Sequence, residues 1–239
     1  MLDQKLFAML DIGMQPEIYF SAEDVEALNT NDLGKVKREL DAAGLSCTIH
    51  APFYDLNLGA LDPLVRKAVR TRYKSLAPVI DALKPRAVVI HTGYDRWRFG
   101  EQKGLWLENA RSTLAWILEM FSCDKTRICI ENVFDEDPYV LWELVSSFGP
   151  RVGVCLDVGH FNLFSKATLQ EWLLRLGDRI LELHLHDNDG LEDRHWAIGK
   201  GSCPLYTVLE WARGKKILHT IEAHDPEDAI SSFKFLLSY

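Results

Sequence analysis

The chain lacks the features that would place it in a membrane or in a disulfide-stabilised fold. Its five cysteines form no CxxC pair, and three of them lie inside apolar, strand-like runs, where a buried and reduced thiol is the usual state. No apolar run approaches the ~20 residues that a membrane-spanning helix needs. The segment MLDQKLFAMLDIG has acidic residues on both sides of a short apolar stretch, which is not the pattern of a signal peptide. We therefore expect a cytoplasmic protein.

Positive charge is also scarce. Lysine and arginine number 27 against 35 aspartates and glutamates, which gives a formal net charge of −8. This charge repels polyanions at long range, and no stripe of Lys and Arg interleaved with aromatic residues appears in the sequence. No Ser/His/Asp set stands in a context typical of nucleophilic catalysis. These absences argue against nonspecific nucleic-acid binding and against a serine-hydrolase mechanism.

What is present is a repeated rhythm of short apolar runs, typical of buried strands, with helical patterns between most of them. The strand candidates are Phe7 to Ile12, Glu17 to Phe20, Ser46 to His50, Ala87 to His91, Arg127 to Glu131, Val152 to Asp157, Leu181 to His186 and Ile217 to Glu222. Asp62-Pro63 is a helix start, Gly177 is a predicted helix end, and a helical break is expected from Asn29 to Gly34. The rhythm predicts an α/β fold, a single (β/α)₈ TIM barrel over residues 1–239.

Nine potential metal ligands lie at the ends of these strands or in the loops that follow them. They are His50, His91, Glu131, Asp157, His160, His184, Asp193, His195 and Glu222. In TIM barrels the chemistry takes place at the C-terminal ends of the strands, where the following loops converge. Neutral imidazoles and carboxylates are the ligands that Zn²⁺ prefers, and Mn²⁺ or Mg²⁺ in sites richer in oxygen. The sequence therefore predicts a metal site at this end of the barrel.

Seven residues near these ligands are candidates for substrate binding. They are Tyr54, Asn57, Arg96, Trp97, His186, Arg194 and Lys200. Arg96 and Trp97 form either a substrate-gripping lid or a solvated loop. His186 shares a strand face with His184, so it either touches substrate or orients a neighbour. Arg194 binds a phosphate or forms a surface salt bridge, and Lys200 stands in a glycine-flanked loop whose N–H groups suit an anion.

At these residues the chain resembles the endonuclease IV and xylose isomerase-like superfamily of TIM barrels, which includes AP endonuclease family 2 and the sugar phosphate isomerase/epimerase-like proteins. The matching stretches are IHAPFYDLNLG, VVIHTGY, CIENV, GVCLDVGH, LHLHDND, DRHWAIGKG and TIEAH. They follow one another in order from about residue 46 to residue 224 and cover most of the chain.

The resemblance implies two ways of using the ligands. In the isomerases and epimerases a core matching Glu131, Asp157, His184 and Glu222 holds one divalent ion. In the endonuclease branch three zinc ions are bound, and all nine matching positions are filled here. The resemblance implies that His50 and His91 share one ion with a bridging Glu131. Asp157, His184 and Glu222 would hold a second, and His160, Asp193 and His195 a third.

The full ligand set favours a phosphoester (phosphodiester) hydrolase with two or three Zn²⁺ ions, which would activate water. The substrate is expected to be smaller than duplex DNA, because the net charge is −8 and the loops look minimal. Lys200 and His186 also replace the Glu and Asn more usual in the endonuclease branch. The alternative is a sugar or sugar-phosphate isomerase or epimerase with one Mn²⁺, Mg²⁺ or Co²⁺ ion, in which Glu131 and Glu222 are the catalytic residues and move a proton. Either way, the expected partner is a small phosphorylated or sugar-like molecule.

Overall fold

The computed structural model describes residues 2–121 and 125–239, so Cys123 lies outside the described residues. The strands are β1 (Glu17–Tyr19), β2 (Thr48–His50), β3 (Ala87–His91), β4 (Arg127–Glu131), β5 (Val152–Asp157), β6 (Ile180–Leu185) and β7 (Leu218–Ile221). The helices are α1 (Leu2–Asp11), α2 (Ala22–Glu26), α3 (Thr30–Ala42), α4 (Pro63–Leu83), α5 (Arg96–Phe99), α6 (Lys103–Met120), α7 (Tyr139–Val145), α8 (Val158–Phe164), α9 (Leu169–Leu176), α10 (Leu205–Ala212) and α11 (Pro226–Ser238). Two 3₁₀ turns cover Gly100–Gln102 and Gly177–Arg179.

The fold is an α/β TIM-barrel fold with seven parallel strands in the order of the sequence, which confirms the predicted fold class. The chain divides into two compact units, Met1–Ile128 and Cys129–Tyr239. In the first unit β2 pairs in parallel with β1 and β3, and in the second β6 pairs in parallel with β5 and β7. The assignment of residues 1–239 to a single domain stays a prediction.

The strand predicted at Phe7 to Ile12 is wrong, because this segment is part of α1. Leu6, Met9 and Leu10 follow the three- and four-residue spacing of a helical face, and Leu6 is buried while Phe7 is exposed. The apolar run was too short for its period to distinguish a strand from a helix. The structure consequently has seven strands, not eight, within its described residues.

Most of the remaining predicted elements are confirmed. Strands β3, β4 and β5 begin and end at the predicted residues. The Asp62 side chain accepts a hydrogen bond from Leu64 N and caps α4, which ends at Leu83 as expected from Pro85. The break predicted from Asn29 to Gly34 is largely wrong: the chain is non-helical only at residues 27–29, and α3, which Asn29 caps, runs through Gly34. Helix α9 ends at Leu176 with Gly177 as its C-cap, as predicted, and a 3₁₀ turn follows.

The strands supply the core of each unit. In the first, Val88, Val89 and Ile90 of β3 have no exposed surface, and in the second the same holds for Val154 and Leu156 of β5. Burial on both faces is typical of parallel strands covered by helices. Among the described residues, none of the helices combines the length and the apolar character that crossing a membrane requires.

Candidate metal centre

Strand β5 and helix α8 position two predicted ligands, Asp157 and His160. Asp157 ends the strand, and its Oδ1 accepts a 2.6 Å hydrogen bond from His160 N, so the carboxylate caps α8. Asn132 fixes the same point: its Nδ2 donates to Asp157 O (2.9 Å), and its Oδ1 accepts from Asp157 N (2.8 Å). The sequence analysis missed both α8 and Asn132. The position of Asn132, directly after the predicted ligand Glu131, was the signal available.

Four predicted ligands of the second unit meet around His184. Its Nδ1 lies 3.0 Å from Glu222 Oε1, 3.7 Å from Glu131 Oε1 and 3.8 Å from Asp157 Oδ2. Glu131, Asp157 and His184 are buried, and Glu222 keeps some exposed surface. This arrangement concentrates three carboxylates on one imidazole in a buried space, where uncompensated negative charge is costly.

This donor set fits a divalent cation. Bonds of about 2.0–2.1 Å to one tetrahedral ion would separate the ligand atoms by roughly 3.3 Å. The distances from His184 Nδ1 to the three carboxylate oxygens bracket that value, at 3.0 to 3.8 Å. An ion held by Glu131, Asp157, His184 and Glu222 would also balance their charge. We refer to these four residues as the central cluster.

A second group, His160, His186, Asp193 and His195, lies beside the central cluster. Asp193 Oδ2 is 3.3 Å from His160 Nε2 and 3.2 Å from His195 Nε2. His186 stacks on His195, with ring centroids 3.9 Å apart. His195 adopts φ = +50°, a left-handed conformation that is uncommon outside glycine and costs about 1 kcal/mol or more. Asp193 thus contacts both of the other residues of the predicted third site, His160 and His195. Their binding of an ion stays a prediction.

Hydrogen bonding fixes the proton positions on His160 and His186. His160 Nδ1 donates to Asn132 O at 3.0 Å, which leaves Nε2 facing Asp193. His186 Nε2 donates to both oxygens of Asp157, at 3.1 and 3.2 Å. A carboxylate that accepts from an imidazole in this way is held in orientation toward a metal. His160 therefore offers Nε2 to the second group, and His186 orients Asp157 in the central cluster.

Electrostatics in the second unit also indicate a demand for positive charge. Burial lowers the pKa of His160, but Asp157, Asp193 and Glu131 outweigh burial and raise this pKa to about 12. The pKa of Asp193 is lowered, because the bonds from His160 and His195 outweigh the effect of burial. The carboxylates thus hold a proton on His160 when no other cation is present. A bound metal would replace that proton.

The first unit contains two further predicted ligands, His50 and His91. Their rings meet edge to face with centroids 5.0 Å apart, and Phe53 stacks on His91 at 4.4 Å. His50 Nδ1 donates to Ala51 O at 3.0 Å, so Nε2 is the nitrogen that would bind an ion. Phe53, which the sequence analysis did not select, therefore fixes the orientation of His91. That His50 and His91 bind one ion together with a bridging Glu131 stays a prediction.

Two of the residues predicted to bind substrate have positions that do not fit that role. Asn57 Oδ1 accepts from Gly59 N (3.0 Å) and Trp106 Nε1 (2.9 Å), and its Nδ2 donates to Gly93 O (2.6 Å). All of its polar atoms therefore hold the segments after β2 and β3 and helix α6 together. His186 has no exposed surface, because its ring is enclosed by neighbours and bonded to Asp157. Of the two predicted roles for His186, contact with substrate or orientation of a neighbouring side chain, the second therefore fits its position, with Asp157 as the neighbour.

The other predicted substrate residues are accessible. Tyr54 is 76% exposed and Trp97 82% exposed, and the guanidinium of Arg96 lies 4.9 Å from the Trp97 ring centroid. Arg96 and Trp97 begin the short helix α5, capped by Asp95, in place of the expected loop. In the second unit, Arg194 pairs with Glu192 at 2.7 Å and Lys200 pairs with Asp228.

The loop that carries Asp193 and His195 depends on Asp187, which the sequence analysis also missed. The buried carboxylate of Asp187 accepts hydrogen bonds from Gly199 N (3.0 Å), Gly201 N (2.9 Å) and Cys203 N (2.9 Å). An added Cβ at Gly201 would lie 2.2 Å from Asn188 O, so the chain passes too close here for any side chain. The backbone N–H groups near Lys200 are thus used within the protein, which leaves fewer of them for an anion.

A family described as xylose isomerase-like TIM barrel matches residues 12–238. The protein MJ1311 of Methanocaldococcus jannaschii is 30% identical over 209 residues, which span 83% of this chain and 71% of that protein. The crystal structure of a D-tagatose 3-epimerase-like protein is 27% identical with a TM-score of 0.81, and the match covers 95% of this chain and 88% of the other. The TTHB071 protein from Thermus thermophilus, soaked with ZnCl₂, has a TM-score of 0.82 at 24% identity, and the match covers 99% of this chain and 92% of the other.

Proposed function

The chain belongs to the xylose isomerase-like TIM-barrel family, and we propose that it is a metal-dependent isomerase or epimerase of a small sugar or sugar-like molecule. The observation that carries this proposal is the central cluster: the ligand atoms of Glu131, Asp157 and His184 lie within 4.8 Å of one another, and Glu222 Oε1 lies 3.0 Å from His184 Nδ1. The similarity to a D-tagatose 3-epimerase-like protein supports the same class of substrate. This similarity supports an isomerase or epimerase better than a phosphoester hydrolase. The hydrolase was favoured in the sequence analysis only because all nine potential ligand positions are filled.

Two carboxylates of the central cluster are suited to move a proton. Glu222 ends the run LHTIE with some exposed surface, whereas Glu131 is buried. Glu222 would take a proton from the carbon beside a carbonyl, and Glu131 would return it to the neighbouring carbon or to the other face. When bound, a divalent cation polarises the carbonyl and hydroxyl oxygens of such a substrate and makes that proton more acidic.

Other residues would hold and orient the substrate. His160 Nε2 faces Asp193 and, when no ion occupies the second group, is placed to donate to a substrate hydroxyl. The exposed rings of Tyr54 and Trp97, with Arg96, remain candidates for a cover over a sugar. Arg194 and Lys200 are candidates for a substrate phosphate, provided that they exchange their present carboxylate partners for it.

The second candidate function is phosphoester hydrolysis with two or three Zn²⁺ ions. The convergence of His160, Asp193 and His195 favours it, because these residues supply ligands beyond those that one ion needs. The added ions would generate hydroxide and stabilise phosphate oxygens. Duplex DNA is not the substrate we propose, given the net charge of −8.

The test combines metal content with proton exchange. Protein purified without chelator is analysed by elemental mass spectrometry, then incubated in D₂O with a panel of ketoses and their phosphates, alongside a phosphodiester panel. We expect about one Mn²⁺, Mg²⁺, Co²⁺ or Zn²⁺ per chain and deuterium at the carbon beside the carbonyl, both of which depend on the central cluster. Glu222→Gln should abolish exchange, while Glu210→Gln, an exposed glutamate on α10, should not.

Two or three zinc ions per chain with phosphodiester cleavage and no exchange would replace the isomerase proposal by the hydrolase one. Neither activity in a metal-loaded protein would reject both.

A further inference from the structure

Helices α4 and α6 border a groove of about 480 Å³ in the first unit, and none of the proposed metal ligands lines it. Helix α4 contributes Arg66, Lys67, Arg70 and Lys74 to its lining, and α6 contributes Trp116 among others. None of these residues takes part in the proposed reaction. We call this the α4–α6 groove.

The charge of the α4–α6 groove is unbalanced. Arg66, Arg70 and Lys74 are spaced four residues apart and so follow one side of α4, where like charges destabilise a helix. In the part of the chain that the structure describes, no ion pair joins any of these cations, or Lys67, to a carboxylate. Four unneutralised cations on a chain of net charge −8 produce a local positive field that an anion would relieve.

The adjacent face of α4 provides a comparison. A neighbouring recess of about 380 Å³ shares Lys67 and Thr71 with the groove, but its arginine is neutralised. There Arg72 Nη2 donates to Glu26 Oε1 at 2.8 Å. The chain therefore supplies a carboxylate to Arg72 in the neighbouring recess. Among the described residues, it supplies none to the cations that line the groove.

Two guanidinium groups of the groove are already fixed in place. Arg66 Nη1 donates to Ala60 O (2.5 Å) and Leu61 O (3.0 Å). Arg70 Nη2 donates to Ser112 Oγ (3.0 Å), and its guanidinium lies 5.7 Å from the ring centroid of Trp116. Each guanidinium has five N–H donors, so both retain donors for a ligand. A ligand would therefore lose little binding free energy to the ordering of these two side chains, because contacts within the protein already hold them in place.

We propose that the α4–α6 groove binds a small anion that carries two or more phosphoryl groups. Planar guanidinium groups match phosphoryl oxygens in a two-point geometry, and the lysines add mobile positive charge. The volume is in the range of roughly 300–1,000 Å³ typical of small-molecule sites. A small ligand is favoured over a polymer, since the net charge of −8 would repel a long polyanion beyond the groove.

The test is isothermal titration calorimetry of the full chain with sodium tripolyphosphate, at low and at physiological salt. We expect one ligand per chain, and binding weaker by at least about tenfold in Arg70→Gln, which loses a charge-assisted contact. The control is the double variant Lys35→Gln/Lys216→Gln, which removes two exposed positive charges outside the groove and should bind like the original protein. Circular dichroism establishes that each variant is folded. Lys67→Gln/Lys74→Gln, which changes only exposed side chains, replaces Arg70→Gln if the latter does not fold.

Equal weakening by the control and the groove variants would overturn the proposal, because binding would then reflect overall charge. No binding at physiological salt would overturn it as well. Tighter binding of a single-stranded oligonucleotide than of tripolyphosphate would replace the small ligand by a nucleic acid. Because tripolyphosphate binding does not depend on metal or on sugar turnover, it succeeds or fails separately from the proposed function.

Discussion

The imidazole rings of His186 and His195 lie parallel, with centroids 3.9 Å apart and an interplanar angle of 2°. His186 also donates to Asp157, so one side chain joins the loop that carries His195 to the carboxylate at the end of β5. Gly159 permits this position, because an added Cβ there would lie 2.0 Å from the His186 ring. His186 therefore couples the central cluster to the second group.

His186→Ala should weaken metal binding roughly 10- to 100-fold, the usual effect of removing a partner that orients a ligand. Competition between the protein and a chelating dye measures this affinity. His224→Ala is the matched control, because His224 stacks on His195 at 4.2 Å, as His186 does, but does not orient Asp157. Equal losses in both variants would show that stacking on His195, and not the bond to Asp157, is what matters.

Gly201→Ala should lower the free energy of unfolding by roughly 1–3 kcal/mol, because the new Cβ would overlap Asn188 O and Asp187 Oδ1. Urea unfolding measures the change. Gly104→Ala is the control: an added Cβ there meets nothing within 4 Å, and alanine within α6 should stabilise the protein by about 0.5–1 kcal/mol. A stable Gly201→Ala variant would mean that the loop held by Asp187 can move aside.

Asn57→Ala should destabilise the protein by about 1–3 kcal/mol, since it leaves the indole N–H of buried Trp106 without an acceptor. The exposed Tyr54 gives the contrast: Tyr54→Ala should leave stability nearly unchanged and raise KM if this ring covers the substrate. Urea unfolding and steady-state kinetics on both variants separate the two roles. A raised KM with unchanged stability in Asn57→Ala would restore the substrate role predicted from the sequence.

The sequence predicted the framework of the site well, for a physical reason. Strands β3, β4 and β5 are continuous apolar runs buried on both faces, and each ends at a polar residue, His91, Glu131 or Asp157. A buried parallel strand can be recognised from its own residues, because it is an apolar run that ends abruptly at a polar residue. The fold class and the clustering of ligands in the second unit followed from these ends.

What the sequence did not reveal depends on contacts between distant segments. The roles of Asn132 and Asp187 come from hydrogen bonds to residues 12 to 25 positions away. The place of Asn132 next to Glu131 marks it as a neighbour of the site, but no local pattern identifies its distant partner. The cations of the α4–α6 groove were overlooked for the same reason. Arg66, Arg70 and Lys74 form a stripe only once α4 is helical, and the aromatic residue beside it comes from α6.

Asp135 should make stability fall as the pH rises from about 4 to about 7. Burial raises the pKa of Asp135 from 3.8 to about 7, with Asp137 adding to the rise and the bond from Val133 N opposing it. In that range the unfolded chain has lost a proton that the folded chain keeps, so ionisation favours unfolding. For a half-buried group the loss should be on the order of 2 kcal/mol.

Asp135→Asn keeps an acceptor for Val133 N and removes the titration, so its stability should depend less on pH than that of the original protein. Urea unfolding at about pH 4 and about pH 7 measures the difference, and the exposed Asp178→Asn serves as the control. Identical pH profiles for Asp135→Asn and the original protein would contradict the prediction.

Divalent cations should stabilise the folded chain through the central cluster. A ligand that binds only the folded state at about 100 times its Kd contributes about 2.7 kcal/mol, which for a chain of this size corresponds to a rise in Tm of roughly 5–10 °C. Thermal unfolding after chelation, with and without added MnCl₂ or ZnCl₂, measures it. Asp157→Asn should lose most of this rise in Tm, because Asp157 is both a proposed ligand and the cap of α8. The control is His219→Ala, which changes an exposed residue of β7 and should retain the rise. An equal rise in Asp157→Asn would place the cation elsewhere, and no rise in the original protein would remove the metal from the proposed mechanism.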